Sequence, residues 1–144
     1  MKPHTTRTIL VIDDCHDFRE TLCDYLNDAG YFAFQARCPQ EAFALLKNEA
    51  VDAIVCDLTM PFTYGKDFFK YPYSSEVGKK TIKELVWVYP YKPVIAITAL
   101  DRMDVVKIAG EIQTVPILLK PFRPEALIAI IEHSISIHVS QVAQ

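Results

Sequence analysis

The sequence predicts an α/β domain with a (βα)5 order, in which five parallel strands form a doubly wound sheet with helices on both faces. Two observations predict this fold. Short apolar runs alternate with longer amphipathic stretches along the 144 residues. The runs are apolar at nearly every position, which is typical of strands buried on both faces of a parallel sheet. Each crossover between neighbouring parallel strands is then expected to be right-handed.

The predicted strands are short, and polar or turn-forming residues follow them. Two aspartates end the first run, and another aspartate follows the third. β-Branched and other apolar side chains dominate within the runs, as strands require. The predicted strands are Thr8–Ile12, Tyr31–Ala36, Asp52–Cys56, Pro93–Ile97 and Val115–Leu119.

A helix is predicted after each strand, because apolar residues recur there at helical spacing. Gly30 is suited to end the first helix, and Pro39 and Pro124 are suited to begin the second and the fifth. About His138–Gln144 would follow the last helix. The apolar positions that define the five helices are, in order, Phe18, Leu22, Tyr25, Leu26 and Ala29; Ala42, Phe43, Leu45 and Leu46; Ile82, Leu85 and Val86; Val105, Ile108, Ala109 and Ile112; and Leu127, Ile130, Ile131 and Ile135.

Length and composition predict one domain that binds neither nucleic acid nor membranes directly. A chain of 144 residues suits a single domain. Fifteen basic against 18 acidic residues leave a net charge of −3, without the basic excess that binding to phosphate backbones requires. No apolar run approaches the roughly 18 residues that span a bilayer. The start of the chain lacks the apolar stretch of a signal peptide, so we expect a cytoplasmic protein.

Chemically useful side chains follow four of the five predicted strands. Asp13 and Asp14 follow the first strand, Asp57 the third, Thr98 the fourth and Lys120 the fifth. Each has an ordinary interpretation when taken alone, such as a helix cap, a turn or a solvated charge. In an open parallel sheet, however, the carboxyl ends of the strands meet at one edge, where ligands bind. Their coincidence at that edge predicts a site.

Three clustered carboxylates repel one another unless a cation or a raised pKa relieves the repulsion. A hard divalent ion with oxygen ligands, Mg²⁺ by size and availability, is the natural solution. The pocket at this edge is therefore expected to hold Mg²⁺.

These residues resemble the signature of response-regulator receiver domains of two-component signalling. The resemblance rests on Asp13-Asp14, Asp57-Leu-Thr-Met-Pro61 with Gly65, Thr98-Ala99 and Lys120-Pro121. It covers about residues 7–138, so residues 1–144 would form a single receiver domain. It implies a flavodoxin-like fold and transfer of a phosphoryl group to this domain from a sensor histidine kinase or a phosphotransfer protein.

The resemblance also implies a role for each site residue. Asp57 would be the phosphoacceptor, and Asp13, Asp14, Asp57 and the backbone carbonyl of Thr59 would hold Mg²⁺. Lys120 and Thr98 would bind oxygens of the phosphoryl group, and Lys120–Pro121 is a candidate cis peptide. The physical chemistry agrees, because a carboxylate can attack phosphorus when the surrounding charge is screened.

Phosphorylation would switch binding of a downstream protein or dimerisation. The resemblance assigns this role to the face made by the fourth helix, the fifth strand and the fifth helix. On the fifth helix, Ile128 and Ile137 lie off the apolar stripe, so they are expected to leave apolar area exposed on this face.

Three features depart from the family pattern. Ile117 occupies the position three before Lys120 where an aromatic switch residue is usual. Thr59 and Leu100 occupy the positions that commonly tune the lifetime of the acyl phosphate, and apolar Leu100 cannot orient an attacking water. An expanded loop at about 66–78 carries four aromatic residues, either as a surface loop packed on its neighbour or as a recognition surface. Those aromatic residues are Phe68, Phe69, Tyr71 and Tyr73.

Two alternatives to the phosphoacceptor interpretation remain. A receiver-like adaptor would bind partners without being phosphorylated, but the five filled site positions argue against it. A phosphatase with an aspartate nucleophile would need a second aspartate at position 59, where the chain has Thr59. The domain is therefore expected to be a signalling module rather than an enzyme.

Overall fold

The computed structural model describes residues 6–61, 75–112 and 114–142, with side chains described as far as residue 139. One parallel sheet has the strand order β2-β1-β3-β4-β5. This confirms the predicted doubly wound fold. The elements are β1 Thr8–Ile12, α1 His16–Asp28, β2 Phe32–Ala36, α2 Pro39–Leu46, β3 Ala53–Asp57, α3 Ser75–Val88, β4 Val94–Thr98, α4 Arg102–Glu111, β5 Ile117–Leu119 and α5 Pro124–Val142.

Two apolar cores flank the sheet, and alternate residues of each strand enter opposite cores. In β1, Leu10 packs in the core that includes residues of α2, α3 and α4. Its neighbours Ile9 and Val11 pack in the other core, with residues of α1 and α5. Because both faces are covered, the central strands β3 and β4 are buried at every position.

The expectation that all strands are buried on both faces is wrong for the two edge strands. In β2, Phe32 is 51% exposed, and all three residues of β5 are only half-buried. An edge strand has a neighbour on one side only, so its side chains are covered less completely. The sequence pattern alone could not separate edge strands from central ones.

Several element boundaries differ from the predicted ones. β4 and β5 begin after Pro93 and Pro116, whose carbonyls accept hydrogen bonds from neighbouring strands, because proline has no N–H to donate to a ladder. β3 extends to Asp57, which the prediction had placed after the strand. The fifth helix continues to Val142, so the expected tail from His138 is wrong for most of its length.

The helix ends agree with the predictions where glycine and proline were involved. Gly30 follows α1 with a φ of 99°, a left-handed conformation that a side chain would disfavour. Pro39 and Pro124 are the first residues of their helices. The predicted loop at 66–78 is wrong for residues 75–78, which belong to α3. Residues 66–74, with the four aromatics, lie outside the described residues.

Within the described part of the chain, no helix combines the length and the apolar character needed to cross a bilayer.

An acidic pocket at the carboxyl edge of the sheet

Three aspartates converge where β1 and β3 end. Side-chain atoms of Asp13, Asp14 and Asp57 that could hold a metal all lie within 4.8 Å of one another. Asp13 is fully buried, and Asp57 is 5% exposed. The sheet register explains this proximity, because β1 and β3 are paired neighbours. The predicted carboxylate cluster is therefore present.

Hydrogen bonds hold both the backbone and the carboxylate of Asp13. The Asp13 N–H donates to the Ala36 carbonyl at 3.1 Å, and the Cys15 N–H donates to Asp13 Oδ1 at 2.9 Å. Arg19 Nη1 donates to the Asp13 carbonyl at 2.7 Å. The sequence reasoning missed Arg19, which is buried in α1. A signal was available, because Arg19 lies at helical spacing from the buried residues Leu22, Cys23 and Leu26.

Lys120 joins two of the carboxylates. Its Nζ donates to Asp13 Oδ2 at 2.7 Å and to Asp57 Oδ2 at 3.2 Å. Burial lowers the pKa of the Lys120 ammonium, but Asp57 and Asp13 more than offset this, so its pKa lies above its usual value. Lys120 therefore stays charged. With all three aspartates ionised, two negative charges of the cluster remain uncompensated by this ammonium.

The environment of Asp57 favours its protonated form. Burial, followed by repulsion from Asp13, raises the pKa of Asp57 from about 3.8 to about 6, although Lys120 and the Thr59 N–H oppose the change. The Thr59 N–H donates to Asp57 Oδ1 at 3.1 Å. At neutral pH the carboxylate is thus ionised at a free-energy cost that a cation would remove.

The remaining predicted residues lie on β4, on β5 and in the segment that follows β4. Thr98 is fully buried at the end of β4, and its Oγ1 accepts a hydrogen bond from the Leu100 N–H at 3.0 Å. Asp101, not Thr98, caps α4, through the Asp104 N–H. Leu100 and Ile117 are half-buried and pack against the core that includes α2, α3 and α4.

The residues present fit a divalent cation. Carboxylate oxygens are the ligands that Mg²⁺ prefers, and the Asp13–Asp14–Asp57 cluster offers three of them with net negative charge. The Lys120–Pro121 bond is cis, as the resemblance implied. Fold and site together define a small α/β domain with an acidic, lysine-bridged pocket at the carboxyl ends of its strands.

Comparisons with known proteins agree with this class. The family model described as the response regulator receiver domain matches residues 9–132. The chain is 29% identical over 131 residues to the transcriptional regulatory protein PdtaR of Mycobacterium tuberculosis, with 90% of this chain and 57% of that protein covered. It is 27% identical over 114 residues to the sporulation initiation phosphotransferase F of Bacillus subtilis, with 79% and 82% covered. The chain thus spans little more than half the length of the first relative.

Solved structures show the same fold. A CheY-like receiver domain protein from Methanospirillum hungatei JF-1 superposes with a TM-score of 0.77 at 17% identity, covering 95% of this chain and 99% of the other. Chemotaxis protein CheY4 of Vibrio cholerae gives 0.73 at 23% identity, covering 90% and 99%.

The chain belongs to the response regulator receiver domain family. Receiver domains are signalling domains, whose general function is to accept a phosphoryl group and which typically bind Mg²⁺ at an acidic pocket.

Proposed function

We propose that Asp57 accepts a phosphoryl group from a phosphohistidine of a sensor histidine kinase or a phosphotransfer protein. One observation carries the proposal: Asp57 lies within the aspartate cluster and within 3.2 Å of the Lys120 ammonium. A carboxylate oxygen of Asp57 attacks phosphorus while the P–N bond breaks, and the histidine nitrogen keeps the electron pair. The product is an acyl phosphate on Asp57.

The surrounding residues stabilise the negative charge on the oxygens of the transferred phosphoryl group. Lys120 pairs with one phosphoryl oxygen, and the Thr98 hydroxyl donates to another. Asp13, Asp14, Asp57 and the Thr59 backbone carbonyl would hold Mg²⁺, which when bound screens the repulsion between the carboxylates and the phosphoryl oxygens. Leu100, which has no polar side-chain group to orient water, favours a long-lived acyl phosphate; Thr59 is the second position that tunes this lifetime.

The domain acts as a stoichiometric phosphoacceptor rather than as an enzyme. We propose that residues 1–144 form one receiver domain with its core at about 7–138, supported by the family match over residues 9–132. The proposal retains the cytoplasmic location expected from the sequence. Ile117, in place of an aromatic switch residue, implies a conformational response that does not depend on rotation of a ring.

Phosphorylation is expected to require both Asp57 and Mg²⁺. The wild-type protein treated with acetyl phosphate and Mg²⁺ should gain the mass of one phosphoryl group, because the ion relieves the repulsion in the pocket. Asp57→Asn should gain none, and wild type with a chelator should gain little. Intact-protein mass spectrometry measures this.

A matched control is Asp24→Asn on the exposed side of α1, which should be labelled like the wild type. Equal labelling of Asp57→Asn would refute Asp57 as the acceptor. No labelling of the wild type would favour the adaptor that binds partners without phosphorylation.

The downstream partner or a second copy is proposed to bind the face made by α4, β5 and α5. Met103 and Val106 on α4 are 74% and 71% exposed, and Ile137 on α5 is 43% exposed. Ile128 is half-buried and packs against the core with α1, so it leaves less apolar area exposed than Ile137 does. Exposed apolar side chains on α4 therefore add to a face for which the sequence analysis named only residues of α5.

Val106→Glu is expected to abolish dimerisation of the protein treated with beryllofluoride and Mg²⁺. A buried apolar contact between copies would be replaced by an unpaired charge. Sedimentation velocity should show dimers for the wild type and for the control Thr21→Glu on exposed α1 surface, and monomers for Val106→Glu. A wild type that stays monomeric at high concentration excludes a homodimer and leaves a different protein as the partner.

A further inference from the structure

An aromatic ring lies against the ammonium of the pocket lysine. Lys120 Nζ is 4.1 Å from the centroid of the Phe18 ring, which α1 places beside the acidic pocket. This distance is well within the range of a cation–π interaction. The Lys120 side chain is only 16% exposed, so water screens the contact little. Among the described residues, the Lys120 ammonium therefore contacts Asp13, Asp57 and the Phe18 ring.

A second ring holds the first in position. Phe18 and Phe122 meet edge to face, with centroids 5.9 Å apart and ring planes at 85°, an arrangement that aromatic pairs favour. Phe122 follows Lys120 by two residues and packs on the same side of the sheet as α1 and α5. The segment that carries the lysine thus also supports the ring that contacts its ammonium.

We propose that Phe18 is a positioning residue that keeps Lys120 at Asp57 when the charges of the pocket change. This inference rests on the proposed function. A cation held by the aspartates would compete with Lys120 for Asp13, and conversion of Asp57 to an acyl phosphate would remove its carboxylate charge. The Phe18 ring is altered by neither event. It therefore restricts the flexible four-carbon stem of the lysine throughout the reaction.

The proposal is tested with beryllofluoride and Mg²⁺ as the probe of the phosphorylated state. Dissociation constants are measured for wild type, Phe18→Leu, Phe18→Tyr, Lys120→Met and the double variant Phe18→Leu/Lys120→Met. Phe18→Leu should weaken binding by about 3- to 30-fold, the range between an exposed and a desolvated cation–π contact. Phe18→Tyr, which keeps the ring, should bind like the wild type. In the Lys120→Met background, Phe18→Leu should have no further effect.

Each result has a distinct meaning. If Phe18→Leu lowers the affinity for beryllofluoride equally in both backgrounds, its effect is a general structural one, and the positioning role alone is overturned. The positioning role is also overturned if Phe18→Leu does not lower the affinity in the wild-type background. A wild type that does not bind beryllofluoride overturns the proposed function, and the positioning role with it. Thermal unfolding checks that Phe18→Leu folds; if it does not, Phe18→Met makes the same comparison.

Discussion

In buffer without divalent ions, Asp57→Asn is expected to increase the free energy of unfolding at pH 7 by about 3 kcal/mol. Burial and the neighbouring Asp13 raise the pKa of Asp57 from about 3.8 to about 6, and two pKa units correspond to about 3 kcal/mol. Asparagine resembles the protonated carboxyl group and avoids this cost. Urea denaturation of both proteins with a chelator measures the difference.

The same effect has a defined pH dependence. Because the pKa of Asp57 is higher in the folded protein than in the unfolded chain, the folded protein binds more protons between about pH 4 and pH 6. The contribution of Asp57 to stability therefore falls as pH rises through this window, and Asp57→Asn removes that fall. Adding Mg²⁺ at pH 7 should raise the free energy of unfolding of the wild type more than that of Asp57→Asn, because the ion binds the folded state.

Stability profiles that run parallel for the two proteins between pH 4 and pH 7 would contradict the predicted environment of Asp57. Asp24→Asn is again the control, since Asp24 is exposed on α1 and its replacement should leave the wild-type profile unchanged.

The second large effect is expected at Gly78, where Gly78→Ala should lower the free energy of unfolding by about 3 kcal/mol or more. A Cβ at this position would lie 1.9 Å from the Leu58 carbonyl oxygen, so α3 would have to move away from the backbone that follows β3. Alanine would otherwise favour a helix over glycine by about 0.5–1 kcal/mol. Chemical denaturation measures the loss.

Gly110→Ala is a matched control, because Gly110 also lies in a helix and a Cβ there meets nothing within 4 Å. This variant should equal or exceed the wild type in stability. If Gly78→Ala unfolds at the same denaturant concentration as Gly110→Ala, α3 does not pack against Leu58 as closely as the structure places it. Since Leu58 adjoins Asp57, Gly78→Ala is also expected to disturb the pocket.

The course of the chain and the approximate place of the site could be predicted from local pattern. Except for Thr8 at the start of β1 and for Asp57 and Thr98 at the ends of β3 and β4, these three strands are apolar, because their residues face two cores. The apolar run of β1 ends where its aspartates begin, and Asp57 ends β3. The edge strands, the start of α3 and the burial of Ile128 could not be predicted this way, because they depend on which elements lie next to each other.

The interactions within the pocket needed the tertiary structure for the same reason. Lys120 and Asp13 are 107 positions apart. No local sequence pattern predicts which carboxylate oxygen of Asp13 accepts the hydrogen bond from the Lys120 ammonium. The contact of Phe18 with Lys120 and the hydrogen bond of Arg19 to the Asp13 carbonyl depend equally on how α1 packs beside the sheet. The raised pKa of Asp57 follows from its burial and from its proximity to Asp13, both of which depend on the folded chain.

The sequence by itself thus determined the (βα)5 fold, the residues that follow each strand and their resemblance to receiver domains, because apolar periodicity and residue type are local properties. Only the tertiary structure decided that the Lys120 ammonium bridges Asp13 and Asp57 within the predicted pocket, and that the Phe18 ring lies against this ammonium. Electrostatic and packing energies depend on distances between residues far apart in the chain, and these distances exist only in the folded protein.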